Sequence, residues 1–285
     1  MKKILVIFIL MQLSVNADAV NIGTIRGRTG NVATVTSSGQ LRIEDTGVLL
    51  AAGSLTGYST VNKFGQNEDS AAGVLEDIWD GSTTYSYPSV ATMTHISQTA
   101  DQVALRGGKI EIQGLDSSWN LNVQTATLNS SNTTTPTALS TPLIRAFRMK
   151  VVTNTVSNSP IRLHNAAETV DYAIIGSGNN QTLMALYTVP NNKTAYMVNY
   201  YCSVTRSTAN DPTGTEIRLW AADRKNDYEF QIKHAIGLPS ASTPYDQPFY
   251  PYVKFTERTD IKMTSFCTDK AGDVHAGFDL ILVDD

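Results

Sequence analysis

The residues best suited to do chemistry lie in one stretch, KFGQNEDSAAGVLEDIWDG (63–81). There Glu68, Asp69, Glu76 and Asp77 precede Trp79, and Asp80-Gly81 closes the run. Clustered carboxylates and amides suit a hard cation, because calcium takes six to eight oxygens from Asp, Asn and backbone carbonyls in loops. Asn67, Glu68, Asp69, Asp77 and Asp80 are therefore weak calcium candidates, at a spacing that departs from the D-x-[DN]-x-[DN]-G loop. The competing reading, which needs no cofactor, is a structural clasp of Phe64, Trp79, Asp80 and Gly81. In it the indole plugs an apolar pocket while the acids keep the backbone hydrated or cap a short helix.

Catalytic templates fit poorly. A glycosidase needs two carboxyl groups at a defined separation, and Glu68, Asp69, Glu76, Asp77, Asp80, Asp116, Glu216 and Asp223 all compete for the roles. His95, His164, His234 and His275 stand singly, with no HExxH, no GxSxG and no P-loop ending GK[ST]. GSGNN (176–180) reads as a strand-to-strand turn. His234 shares a strand face with Ile232 and Ile236 and reads as a core or interface residue, and His275 as a solvated turn residue. The expectation is a protein that is not an enzyme.

Flat aromatic faces stack on sugars. Tyr85 and Tyr87 flank the acidic stretch, and Tyr245, Phe249, Tyr250 and Tyr252 in YDQPFYPYV are candidate glycan contacts. Aromatics beside prolines also serve as corner packing. Cys202 and Cys267 sit in apparent strands, as buried thiols or, in an oxidising compartment, as a disulfide. No CxxC or HxxxH spacing accompanies them, which argues against zinc.

The elements that must position these residues are strands. Of 285 residues, 41% are hydrophobic and only 17% charged, with Thr, Ser and Asn making up the difference; the net charge is −4. No dense Lys/Arg patch supports nucleic-acid binding. Residues 1–19 show Lys2-Lys3, an apolar run from Ile4 to Leu13 and Ala17-Asp18-Ala19, the order of a signal peptide, or of a retained hydrophobic anchor. The run is too short to span a bilayer comfortably, and no other segment reads as a membrane span.

Residues 20–60 alternate between glycines, with VATV and LRI flanking a Ser37-Ser38-Gly39 turn, and read as a β attachment segment. Residues 61–88 read as a loop-rich connecting clasp in which LEDIWD forms one helical turn at most. Residues 89–285 read as one β-sandwich body. Within it QVALR and KIEIQG form a hairpin about Gly107-Gly108, and 125–142 is a long polar loop. The fold class is all-β, an antiparallel sandwich or jelly roll.

The segment VNKFGQNEDSAAGVLEDIWDG resembles a stretch of structural proteins of marine tailed bacteriophages, in which an FGxN…EDIWDG segment precedes a tyrosine-rich strand. IQGLDSSWN with TATLN, IRAFRMKVV, NNQTLMALYTVPNNKTAYM, QIKHAIGL and AGFDLILVDD are similar to the same family, so the resemblance spans roughly 58–285. It implies a location, the virion, and not a mechanism; a leader at 1–19 departs from it. The expected role is a head decoration, fibre or tail-associated component. Its expected partners are other virion proteins and further copies of itself, with a host surface glycan as a further candidate. The alternative is a secreted carbohydrate-binding or adhesion module.

Overall fold

A computed structural model describes residues 25–26, 32–35, 41–205, 212–239 and 244–285. The chain divides into two units, Met1–Thr56 and Gly57–Asp285. In the first, β1 (Ile25–Arg26), β2 (Val32–Val35) and β3 (Leu41–Glu44) form an antiparallel sheet in that order. Val35 pairs with Leu41, so VATV and LRI are adjacent strands as expected. The turn at Ser37-Ser38-Gly39 and the leader at 1–19 lie outside the described residues. A short helix, α1 (Thr46–Ala51), follows; the Asp45 carboxylate caps it by accepting from the Gly47 and Val48 N–H groups.

The second unit is all-β. Its strands are β4 (Tyr58–Ser70), β5 (Leu75–Asp77), β6 (Met93–Gln98), β7 (Lys109–Leu115), β8 (Leu121–Thr127), β9 (Thr137–Leu143) and β10 (Arg145–Val151). There follow β11 (Ile161–His164), β12 (Asp171–Ile175), β13 (Leu186–Thr188), β14 (Lys193–Thr205), β15 (Gly214–Asp223) and β16 (Gln231–Pro239). The last three are β17 (Tyr245–Phe255), β18 (Thr259–Cys267) and β19 (Gly272–Asp284).

These strands make two sandwiches, not one. In the larger, sheet β17-β14-β19-β4 faces sheet β13-β18-β15-β16, and β5 pairs with β18. In the smaller, β10-β7-β8 faces β12-β11-β6-β9. Each sandwich has its own hydrophobic core. The period-2 alternation of a strand buries one face of each sheet. Val274, Ala276, Phe278, Leu280 and Leu282 of β19 fill the large core in strict alternation. β14 buries Ala195 and Met197 and then Tyr200, Cys202 and Val204; a bulge between Met197 and Asn199 supplies the one-residue shift. Cys202 and Cys267 are both buried and free.

Several local expectations are corrected. Residues 61–70 are not loop: they belong to β4, paired with β19 along its length. The single body at 89–285 was too coarse, because the large sandwich recruits β4 and β5 from before that boundary. LEDIWD opens as strand β5 and not as a helical turn. QVALR forms a 3-10 turn at Val103–Leu105, so Gly107-Gly108 leads into β7 without closing a hairpin. The hairpin partner of β7 is β8. The polar run at 125–142 contains the end of β8 and most of β9, because alternation on a half-exposed sheet looks polar in sequence. His275 lies within β19, not in a turn. GSGNN is a turn, with Gly178 and Asn180 at positive φ.

Candidate functional site

The acidic segment is where the chain passes from one core to the other. Ile78 packs in the large core, and its neighbour Trp79 in the small one. The return passage does the same: Met184 and Leu186 face the small core, Ala185 and Tyr187 the large one. The two passages run side by side. Ala185 N–H donates to Ile78 O (2.9 Å), Asp80 N–H to Leu183 O (3.0 Å), and Leu183 N–H to Asp80 Oδ2 (2.7 Å). Glycine is required at two of the contacts. A Cβ on Gly65 would stand 2.3 Å from the backbone N of Ala185, and one on Gly81 would stand 2.1 Å from the Trp79 ring. The Trp79 indole donates to Thr83 O (2.8 Å) and meets Tyr85 edge-on.

Of the clasp set, Trp79, Asp80 and Gly81 meet at this crossing. Phe64 lies beside it in β4 under the Arg148 guanidinium, 5.6 Å from ring centre. Of the five calcium candidates, Asn67, Asp77 and Asp80 have protein partners for their side chains. Asn67 donates to Glu76 and to Asp77 O, and its own oxygen accepts from Asp69 N–H. Asp77 accepts from Tyr85 N–H (2.6 Å) and lies 2.8 Å from Lys262 Nζ. Glu68 and Asp69 are exposed. Among the described residues no group of three or more His, Cys, Asp or Glu side chains gathers as a metal would need. Of the other acids weighed as glycosidase carboxyls, Asp116 caps a turn, Glu216 pairs with Arg218 and Asp223 caps the 3-10 turn at Arg224–Asn226.

Burial decides the electrostatics. It pushes the Asp80 carboxyl up to about 7, aided by nearby Glu68 and opposed by the Leu183 N–H. It also raises Asp77, against the pull of Lys262. Asp260, with no exposure, holds a carboxylate filled by four donors. Its oxygens accept from Arg145 Nε and Nη2, Arg224 Nε and the Thr188 hydroxyl. Arg145 belongs to β10 of the small sandwich and Asp260 to β18 of the large one, so the ion pair ties the two. Arg145, Arg224 and Lys262 also ring the face of Tyr87 at 5.2, 5.9 and 5.9 Å. Lys63 of β4 makes a third tie. It donates to the carbonyl of Phe147, the residue at the β10 bulge, and burial with Arg148 nearby holds its amine well below the usual range.

One arrangement escapes sequence reasoning altogether. Ser97 Oγ lies 3.0 Å from His164 Nε2, and His164 Nδ1 lies 2.8 Å from Asn165 O. The carbonyl can only accept, so Nδ1 carries a proton and donates it to Asn165 O. The geometry is that of an activated hydroxyl, but Ser97 and His164 have no exposure, and the pair serves to satisfy polar groups between β6 and β11.

The aromatic residues of YDQPFYPYV divide. Tyr245 and Phe249 turn inward against the large core. Phe249 lies 5.9 Å from both Tyr200 and His234, the Tyr200 hydroxyl lies 2.7 Å from His234 Nδ1, and burial raises the phenol's pKa. A bulge separates Ile232 from that face, so His234 and Ile236 turn in while Ile232 is half exposed. Tyr252 is also half exposed, and Tyr250 is 99% exposed.

Two outcomes are expected of the crossing. Trp79→Ala should destabilise the chain by about 3–5 kcal/mol in urea unfolding, as for a buried aromatic; a loss within the error of the fit would mean that the indole is not structural. The Asp80 carboxyl binds a proton in the folded chain at pH values where the unfolded chain, at the ordinary 3.8, has released it. Its contribution to stability therefore falls as pH rises from about 4 to about 7 and is flat above. Asp80→Asn should remove that slope, leaving a variant that melts higher than the parent at pH 7.5 and equal to it near pH 4. A melting-temperature difference independent of pH would contradict the assignment.

No protein-family model matches the sequence, and no curated protein matches it. Solved structures with some similarity come from infectious bursal disease virus. For the virus of the Gx strain the identity is 10%, over 80% of this chain and 71% of that chain, with a TM-score of 0.25. For T=1 particles derived from the virus the values are 11%, 92%, 67% and 0.20. For a VP2 subviral particle they are 8%, 90%, 68% and 0.18. Likeness at these scores carries no argument about this chain.

Proposed function

We propose that the chain is a non-enzymatic structural component of a virion, of the tailed-bacteriophage kind that its 61–81 segment resembles. It would sit on the particle as a head decoration, fibre or tail-associated part, in symmetric copies and in contact with other virion proteins. The observation that supports this reading is that the most chemically suggestive segment is consumed by architecture. Asp77, Trp79 and Asp80 are all engaged in joining two cores. A body fastened by buried side chains at its crossing resists shear and local opening, which a particle surface demands. Mass spectrometry and immunogold microscopy of particles purified from the phage that encodes the chain should find it at fixed copy number; absence from mature particles would overturn the reading.

A second reading, a carbohydrate-binding or adhesion module, rests on Tyr250 and Tyr252, the two members of the aromatic set that face solvent. A glycan array blank for the purified chain would overturn this second reading. Binding that Tyr250→Ala abolishes would favour the second.

A further inference from the structure

Strand pairing brings a lysine and a carboxyl together in a dry place. Asp77 of β5 stands opposite Thr264 of β18, and Lys262 lies two residues along β18 on the same face. Ile261 and Met263 of β18, and Ile78 next to Asp77, belong to the large core. Lys262 and Asp77 therefore point the other way, toward the junction with the small sandwich. There the Lys262 amine lies 2.8 Å from Asp77 Oδ1, with the two side chains 12% and 1% exposed. The other lysine–carboxylate pairs among the described residues are Lys150–Glu111, Lys193–Asp284 and Lys225–Glu257, and each leaves one partner at least 41% exposed.

The surroundings suit a reaction between the two groups. Ile78 N–H donates to Met263 O (3.0 Å) and fixes β5 against β18, while Tyr85 N–H holds Asp77 Oδ2 at 2.6 Å. Asp77 Oδ1, the oxygen that the amine approaches, has no hydrogen-bond partner of good geometry. The rings of Phe230 and Tyr87 cover the amine, with their centres 4.7 and 5.9 Å from it. Asp260, two residues before Lys262, is filled by Arg145, Arg224 and Thr188 and does not compete for the amine. Two charges are costly in such a site, and burial favours the protonated form of the Asp77 carboxyl. An amide bond between the groups removes both charges.

We propose that Lys262 Nζ and Asp77 Cγ become joined in an intramolecular amide that fastens β5 to β18 covalently. The step is a condensation and needs no oxidant, reductant or co-reactant. A proton passes from the ammonium to Oδ1, which leaves a neutral amine beside a carboxylic acid. The nitrogen lone pair forms the N–Cγ bond, while Tyr85 N–H stabilises the charge that builds on Oδ2. The Cγ–Oδ1 bond then breaks with its electron pair on oxygen, which takes a second proton from nitrogen and leaves as water. Folding supplies the rate, because groups held in contact react far faster than free ones. Every strand of the small sandwich lies in the chain between the two joined residues, so the bond ties off that whole insertion. The proposal does not rest on the virion reading.

Peptide mapping of the purified full chain by mass spectrometry tests it. After incubation of the folded protein at neutral pH, most chains should yield a branched peptide that joins the segments around Asp77 and Lys262 and is lighter than their sum by one water. Lys262→Arg keeps the positive charge and Asp77→Ala removes the carboxyl; in each the branched peptide should vanish completely. The two segments recovered separately, at full mass, from most wild-type chains would overturn the proposal and leave an ordinary buried ion pair. A loss of water that either variant retains would overturn it as well. The wild-type measurement decides by itself if a variant fails to fold.

Discussion

Asp260 has no contact with water, and yet it carries a charge that two guanidinium groups and a hydroxyl share. A buried carboxylate is tolerable only when its lone pairs are filled, and leaving one partner unpaired typically costs about 3–5 kcal/mol. Here the filling groups come from β10, from the turn after β15 and from β13, so the charge is satisfied only when both sandwiches are formed and docked. Arg145 also donates to Pro88 O and lies 4.8 Å from the Trp119 ring. Arg145 thus fixes the end of the connecting segment 61–88 as well as the strand that bears it.

Around this pair the chain solves a topological problem. It leaves the large sandwich after β5, builds the small one, and returns at β13 to finish the first. Each passage exposes backbone groups between two apolar cores, where an unpaired N–H or C=O is costly. Running the passages side by side lets each satisfy the other, and the Asp80 carboxylate takes the remaining Leu183 N–H. The cost is a carboxyl in a poor dielectric, visible in its raised pKa. The Lys63 amine spans the same junction on the bulged side of β10, again exchanging solvation for a bond that crosses between sandwiches.

Much of this was legible in the chain. Alternating β-branched and aromatic residues announced β7 and the strands from β10 to β19, but not β4, β5, β6, β8 or β9, whose polar faces read as loop, and Trp79 with Asp80-Gly81 stood out as a clasp because a lone indole amid polar residues needs a pocket. The second core was not legible, since periodicity reveals which face is buried and not against which neighbour. Nor were the Ser97–His164 pair, set 67 residues apart, or the exposure of Tyr250, which depends on how two strands register.

Local pattern by itself therefore determined the fold class, the strands of the second half and the special character of 63–81, because each rests on steric preferences within a few residues. Only the tertiary structure decided that Asp77 and Asp80 lie where the chain passes between two cores. It alone divided the aromatic residues of 245–252 between an interior pair and an exposed pair. Burial, charge pairing and strand register are properties of residues brought together from distant parts of the chain, and no short stretch contains them.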